Sequence, residues 1–378
     1  MTEIFLSIFF ISVLLLFLST GVWVALSMIG VSTIAMTLFT SRPVGDAMAT
    51  TIWGTSSSWT LTALPLFVWM GEILFRTKLS ENLFEGLSPW MQKLPGGLIH
   101  VNVVGCALFA AISGSSAATV ATVGKMSIPE LRKRNYPEKI LLGSLAGSGT
   151  LGLLIPPSII LIIYGVTVQE SIAKLFVAGI IPGIMIALIF MSYVILWSLF
   201  NKNQMPNIVN QYSFIDKIKR SGQLIPVIIL ILSVIGSIYT GIATATEAAS
   251  LGVVGALILS YFQKSLSWST FRSSLLGATK TSCMISFILA GSAFLSLAMG
   301  FTGLPRNLAL WINSLELSPY LLIFVLMIFY IILGMFLDGI SAVVLTMAII
   351  EPMIRQAGFD MIWFGIFLVV VVEMAVSY

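Results

Sequence analysis

The sequence has few charged residues: Asp, Glu, Lys and Arg make up 9% of its 378 residues, whereas hydrophobic residues make up 58%. Soluble domains carry roughly 25% charged residues, so this scarcity excludes a soluble protein and indicates a polytopic integral membrane protein. No polar segment is long enough to form a separate soluble domain. The formal net charge of +4 is therefore interpreted as a signal of membrane topology, and no nucleic-acid partner is expected.

Cysteine and histidine are also scarce, with two cysteines and one histidine. Cys106 and Cys283 lie in apolar runs, so neither a disulfide framework nor a metal site is suggested. His100 precedes Ser115 by about fifteen residues, roughly 20 Å along a helix, which is too far for a serine–histidine catalytic pair. The sequence also contains no Walker A motif. These absences argue against an enzyme and against an ATP-driven pump of the P-loop kind.

The segment 144–164 is apolar enough for a bilayer, but it contains three glycines and the pair Pro156-Pro157. Each proline removes a backbone donor and clashes with the preceding turn, so we predict a broken helix over 140–165 that opens near 154–157. In lipid such a break persists only where protein, water or an ion satisfies the freed carbonyls. It is a candidate ion or substrate site; the alternative is a proline kink packed against neighbouring helices. The glycine pattern also fits a dinucleotide-binding fingerprint, but no βαβ unit surrounds it, so that interpretation is rejected.

Basic residues cluster in four connections, at 76–93, 125–139, 202–220 and 264–280. The positive-inside rule places all four in the cytoplasm. The segment of about 96–131 between the first two clusters must then return to the side where it began. Its centre, Ser113-Gly114-Ser115-Ser116, interrupts the helical pattern. We therefore predict a re-entrant hairpin rather than one helix with small residues for close packing.

Apolar runs predict seven further spans, at about 4–19, 22–39, 60–75, 173–200, 223–239, 245–262 and 281–300. The stretch 79–94 is too polar to span and predicts an amphipathic helix in the membrane interface. A second long segment, about 318–356, is interrupted at 337–341. Its flanks near Arg306 and Arg355 are expected outside, which predicts a hairpin that enters from the opposite face.

The two halves have the same order of elements in opposite orientations. Residues 1–200 form the first predicted repeat, 201–222 a cytoplasmic linker and 223–378 the second repeat, which is incomplete at its C-terminus. Gly114-Ser115-Ser116-Ala117 aligns with Gly339-Ile340-Ser341-Ala342. We therefore predict an all-α polytopic membrane protein with inverted repeats, two re-entrant hairpins and broken helices, with its site at the midplane.

Several long motifs occur in order, namely FAAISGSSAATVATVGKMSIPELRKRNY, AGSGTLGLLIPPSIILIIYG, TATEAASLG and GMFLDGISAVVLT. With them the chain resembles the large membrane subunit of TRAP (tripartite ATP-independent periplasmic) transporters, from near its N-terminus to Glu373. The resemblance implies an elevator-type carrier in the bacterial inner membrane. It would import an organic acid of the C4-dicarboxylate or sialic acid class in symport with sodium ions, and it would need no cofactor. The implied partners are a periplasmic substrate-binding protein and a small four-span membrane subunit.

The resemblance also implies two sodium sites. The first would join Ser113 and Ser116 at the hairpin tip to the opened helix, at Gly152, Ile155 and Pro156. The second would join Gly339 of the second hairpin to the final helix. The chemistry agrees, because the carbonyls of unwound helices and nearby hydroxyls are oxygen ligands for a hard cation.

Substrate contacts are less clearly indicated, and Ser115, Asp338 and Ser341 are the candidates. A carboxylate within a membrane segment is functional by default. Equally, Asp338 fits a carboxylate that caps the N-terminus of a half-helix. Glu247 and Glu373 are both compatible with interfacial positions.

The final segment, 361–378, departs from the family pattern. Ala375 stands near the position of a family glycine and Tyr378 near that of a threonine, and two prolines would follow the last residue. We therefore expect either a truncated chain or an incomplete second sodium site, and an inactive or impaired permease. A channel-like or non-transporting membrane protein is the remaining alternative.

Overall fold

The computed structural model describes residues 2–77, 79–206, 212–222, 224–303, 318–335 and 337–376. Within these ranges all regular elements are helices, and several are long and apolar enough to cross a membrane. The prediction of an all-α polytopic membrane protein is therefore confirmed. The predictions at Arg306 and Tyr378 lie outside the described residues.

The first five helices precede the first hairpin. They are α1 (Thr2–Ser19), α2 (Val24–Phe39), α3 (Val44–Ser56), α4 (Ala63–Phe75) and α5 (Leu79–Met91), with a 3-10 turn at Trp59–Thr62 before α4. The fifth helix carries Leu83 and Phe84 on its buried side while Glu85 is exposed, as expected for an amphipathic helix.

The first predicted hairpin consists of α6 (Ile99–Ser113) and α7 (Ser116–Lys133). Gly114 ends α6 with φ 59°, in the left-handed region, which glycine enters at little cost. The two helices run antiparallel, since a Cβ at Gly105 would lie 3.6 Å from a methyl carbon of Val123, and both residues are about equally far from the turn. This turn is the tip of the first hairpin.

The predicted broken helix is resolved into three pieces: α8 (Glu138–Gly149), α9 (Leu151–Leu154) and α10 (Ile159–Thr167). Ile155 is extended, with φ −74° and ψ 120°. Ser158 then caps α10, its hydroxyl accepting a hydrogen bond from the N–H of Leu161 at 3.3 Å. The helix thus opens at 155–158, because Pro156 and Pro157 cannot continue the ladder.

The rest of the chain forms eight described helices. They are α11 (Ile172–Phe200), α12 (Phe214–Ser221), α13 (Ile225–Tyr239), α14 (Ala245–Phe262), α15 (Trp268–Thr302), α16 (Pro319–Gly334), α17 (Gly339–Gln356) and α18 (Met361–Val376). The second hairpin is the pair α16–α17, and the hydroxyls of Tyr330 and Thr346 join its two arms at 2.6 Å.

The predicted span 281–300 is too short. The observed helix α15 has 35 residues, about 52 Å at 1.5 Å per residue, so Arg272 and Lys280 lie on the helix rather than in a connection. Hydropathy identified only the apolar part of this helix. The polar first third continues from the cap at Ser267, whose hydroxyl accepts from the N–H of Thr270 at 3.1 Å.

The bases of the two hairpins lie at opposite ends of the broken helix. At the first end, Arg132 of α7 forms an ion pair with Glu138, the first residue of α8. At the other end, Arg355 of α17 donates to the carbonyl of Val168 at 3.1 Å and lies 3.6 Å from Glu170. The two tips therefore approach the break from opposite directions.

Candidate functional site

The tip of the first hairpin is docked on the opened helix. A Cβ added at Gly152 would lie 2.8 Å from the carbonyl carbon and oxygen of Ser115 and 2.9 Å from the nitrogen of Ser116. The hydroxyl of Ser116 donates to the carbonyl of Thr150 at 3.5 Å. The N–H of Ile159, at the start of α10, donates to the carbonyl of Gly114 at 3.4 Å. Backbone therefore meets backbone at this contact, with no side chain between.

Hydroxyl groups converge within the tip itself. Ser113 Oγ lies 2.9 Å from Thr119 Oγ1 and donates to the carbonyl of Ser115 at 3.3 Å. Ser115 is the N-cap of α7, where its side chain accepts from the N–H of Ala118 at 3.5 Å. The positive end of the helix dipole is therefore at the tip.

The break adjoins this tip, and a Cβ at Gly114 would lie 2.7 Å from the carbonyl oxygen of Pro157. No hydrogen bond from the described residues reaches the carbonyl of Ile155 or of Pro156. The Ile155 side chain packs on α11, where a Cβ at Gly183 would lie 2.8 Å from its Cγ1. Freed carbonyls with nearby hydroxyls make an oxygen-rich site that suits a hard cation. The described residues hold no cluster of His, Cys, Asp or Glu that would ligate a transition metal.

The tip of the second hairpin contacts both halves of the chain. A Cβ at Gly339 would lie 3.0 Å from Val372 Cγ1 of α18, 3.3 Å from Ile160 Cδ1 and 3.7 Å from Leu153 Cδ1. Gly339 therefore lies beside the final helix, where the resemblance placed it. It also lies beside the broken helix of the first half, which the sequence did not indicate.

Asp338 and Ser341 have different surroundings at this second tip. Asp338 is exposed, and its Oδ2 accepts a hydrogen bond from the N–H of Ser341 at 3.1 Å. Asp338 is therefore the N-cap of α17. Ser341 is 1% exposed, and its hydroxyl has no partner among the described residues.

Glu373, for which the sequence left an interfacial position open, is a buried residue of α18. Only 3% of the surface of Glu373 is exposed. The carboxyl lies beside the backbone of Leu153 in α9, and Oε1 has no partner among the described residues. A carboxyl of the second half therefore touches the opened helix of the first. The available signal was a single acidic residue within the otherwise apolar α18.

A cavity of about 150 Å³ opens beside the first tip, between α4, α7, α10 and α15. Its described lining residues are Val68, Gly71, Glu72, Phe75, Ser113, Ser115, Ala118, Ala121, Ile159 and Thr281. Two of the predicted serines therefore face one space, together with a carboxylate that the sequence did not single out. Glu72 could not be found from its spacing, because the hairpin serines that share the cavity lie about forty residues further along the chain.

The cavity extends from the tip toward the basic end of the hairpin. Ala118 and Ala121 line it along α7, whose last turn carries Arg132 and Lys133. Phe75 lines it on α4 and precedes Arg76. The cavity therefore extends toward the end of the hairpin that carries these basic residues.

Comparison with known proteins gives the family. Residues 11–377 match the model of the tripartite ATP-independent periplasmic transporter, DctM component. The C4-dicarboxylate TRAP transporter large permease protein DctM of Pseudomonas aeruginosa is 31% identical over 328 residues, 86% of this chain and 76% of that protein. The 2,3-diketo-L-gulonate TRAP transporter large permease protein YiaN of Escherichia coli is 31% identical over 330 residues, 85% of this chain and 76% of that protein.

A solved structure supports the fold independently of sequence. The Alcanivorax borkumensis YdaH transporter aligns with a TM-score of 0.62 at 11% identity, covering 96% of this chain and 87% of that one. At this identity the likeness concerns the fold alone. The sequence matches, which span nearly the whole chain, carry the family assignment: the chain belongs to the large permease (DctM component) family of TRAP transporters.

Proposed function

We propose that this chain is the membrane permease of a sodium-coupled secondary transporter that imports an organic acid into a bacterial cell. In this role the first tip and the break bind a sodium ion through Ser113, Ser116, Gly152, Ile155 and Pro156. The acid occupies the adjoining cavity. Coupling follows from this adjacency, because an ion that holds the tip on the break also holds Ser115 at the cavity wall.

The observation that carries this proposal is the contact at Gly152. Backbone atoms of Ser115 and Ser116 lie within 2.9 Å of the position of an added Cβ, so the half-helix ends meet without intervening side chains. Broken helices whose ends meet near the midplane are the ion and substrate sites of secondary transporters. A second ion beside Gly339 is proposed on the same grounds, with the unpartnered hydroxyl of Ser341 as a neighbouring oxygen.

The family assignment supports two partners, a small four-span membrane subunit and a periplasmic substrate-binding protein. With a periplasmic partner, the membrane would be the bacterial inner membrane. We propose an elevator-type movement in which the hairpins and the broken helix move against a group formed by α2, α4, α14 and α15, which pack on one another. The cavity lies at the boundary between these two groups of helices.

The test is uptake into liposomes that contain the chain, its small subunit and its binding protein, under an inward sodium gradient. Radiolabelled succinate and 2,3-diketo-L-gulonate are the probes, because the relatives' names indicate a dicarboxylate and a sugar acid. Accumulation of either acid above its outside concentration, only with the sodium gradient, is the expected result. Accumulation without sodium would contradict the coupling, and passive equilibration alone would indicate a channel.

A serine variant tests whether sodium coupling depends on the proposed ion site. Ser116→Ala removes the hydroxyl that reaches Thr150 and is expected to raise the half-saturating sodium concentration about tenfold, which corresponds to about 1.4 kcal/mol. Ser192→Ala is the matched control, since Ser192 is exposed on α11 and bonds only to the carbonyl of Leu188 within its own helix. Equal sodium dependence in the two variants would contradict the proposed ion site.

A further inference from the structure

The cavity beside the first tip contains one charged side chain among its described lining residues, the carboxylate of Glu72. Its other polar groups are neutral hydroxyls, those of Ser113, Ser115 and Thr281. Glu72 lies on α4 next to Gly71, which packs on the hairpin tip, since a Cβ at Gly71 would lie 3.1 Å from Ser113 Cα. A bound acid would therefore meet hydroxyl groups and a negative charge in the same cavity.

Two neighbouring residues hold the Glu72 carboxylate in place. Arg76, one turn further along α4, donates to Oε2 at 3.0 Å, and no hydrogen bond from the described residues reaches Oε1. Gly277 of α15 leaves the space in which the carboxylate lies, since a Cβ there would be 2.7 Å from Oε2 and 3.1 Å from Oε1. The Glu72 side chain is 27% exposed, so it is only partly screened by water.

The charge discriminates between classes of acid. A dicarboxylate that docks one carboxylate on the hydroxyls of Ser113 and Ser115 holds its second carboxylate in the same cavity as Glu72, where the two like charges repel each other. An acid whose far end carries a hydroxyl or an ammonium group instead donates a hydrogen bond to Oε1. Arg76 reduces this repulsion without abolishing it, because Arg76 bonds to Oε2 and leaves Oε1 unpaired, and Arg76 is absent from the described cavity lining.

We propose that Glu72 is a specificity-determining residue that favours a small monocarboxylic acid with a hydroxyl or ammonium group over a dicarboxylate. This inference rests on the proposed function of the cavity as the acid site. The cavity volume of about 150 Å³ is below the roughly 300–1,000 Å³ of sites for drug-sized ligands, which fits a small acid.

The experiment measures binding of two acids to the purified chain in detergent, with sodium present, by isothermal titration calorimetry at pH 7. The probes are succinate, a dianion at this pH, and L-gulonate, a monoanion with several hydroxyls. The readout is the ratio of the two dissociation constants. The wild-type chain is expected to bind L-gulonate more tightly.

Two variants move this ratio in opposite directions. Glu72→Gln keeps the size of the side chain, removes the repelling charge and releases Arg76, so succinate is expected to gain about tenfold relative to L-gulonate. Arg76→Gln leaves Glu72 unpaired, so the preference for L-gulonate is expected to increase. Glu85→Gln is the control, because Glu85 is exposed on α5 and is not one of the described residues that line the cavity; its ratio should equal that of the wild type.

The outcomes separate this inference from the function on which it rests. If neither acid binds to the wild-type chain, the acid-binding function of the cavity is wrong and the specificity role falls with it. If both acids bind and neither variant changes the ratio, only the role of Glu72 is wrong. If Glu72→Gln does not fold, the change in the ratio of dissociation constants expected for Arg76→Gln still tests the role of Glu72.

Discussion

The close contact at Gly152 predicts that a single added methyl group weakens sodium binding. Gly152→Ala places a Cβ 2.8 Å from the carbonyl carbon and oxygen of Ser115. Ordinary contacts begin at 3.4 Å, so the tip and the break must separate by about 0.6 Å. Both sides are backbone, and no flexible side chain can move aside. The groups of a binding site must stay within about 0.5 Å of their working positions. The expected separation exceeds this limit, so the proposed sodium ligands would no longer converge on one ion.

The expected magnitude follows from these distances. Overpacking of this kind costs about 1–3 kcal/mol, and replacing a helical glycine by alanine returns up to about 1 kcal/mol. The net loss of stability without sodium is therefore small, about 0–2 kcal/mol on the same figures. The sodium affinity should also fall, by about tenfold, because displacing the sodium ligands destabilises only the sodium-bound state.

Thermal unfolding of the detergent-purified chain measures both quantities. The midpoint is recorded in increasing sodium chloride, with choline chloride keeping the ionic strength constant, and sodium binding raises it by mass action. Gly143→Ala is the matched control, since Gly143 is an exposed residue of α8 with nothing within 4 Å of its added Cβ. This control should raise the midpoint and leave its sodium dependence unchanged. If Gly152→Ala behaved like Gly143→Ala, the docking of the tip on the break would not support an ion site.

Two further predictions concern buried polar groups. Glu373→Gln is expected to leave the thermal midpoint unchanged or to raise it, because the amide has nearly the size of the buried carboxyl and carries no charge to be desolvated; a large decrease would show that the ionised carboxylate stabilises the fold. Tyr164→Phe removes the hydrogen bond from the Tyr164 hydroxyl to the carbonyl of Met361 at 2.6 Å and should cost about 1–3 kcal/mol. Tyr193→Phe, at an exposed position on α11, should cost less than about 0.5 kcal/mol, and equal midpoints for the two tyrosine variants would contradict the argument.

The local breaks could be predicted from the sequence because their causes are local. Pro156 and Pro157 interrupt the helical ladder wherever they are placed, and the observed opening at 155–158 agrees with the prediction to within a residue. The first tip was predicted from small residues at 113–116 and from the charge on either side. The resemblance then indicated which residues meet at that tip, and spacing alone would not have done so.

Contacts between segments that are distant in sequence could not be predicted, because the hydrophobic periodicity of a segment does not indicate which other segment it contacts. Glu72 shares a cavity with hairpin serines, and its space depends on Gly277, which is about two hundred residues away in sequence. The burial of Glu373 could not be predicted either, because its position near the end of an apolar run does not say which way the side chain points. The length of α15 was underestimated for a related reason, since hydropathy measures burial in lipid and not helix continuity.

The two proposed ion sites share one structural element. The broken helix contacts the first tip through Gly152 and the second tip through Leu153 and Ile160. Adjacent residues of α9 therefore face opposite hairpins, and the Glu373 carboxyl also lies beside Leu153. An ion that draws the first tip onto Gly152 fixes the same short helix on which the second tip rests. Since interfaces of closely packed backbone respond by discrete shifts rather than by gradual deformation, this geometry favours coupled occupation of the two sites over independent binding.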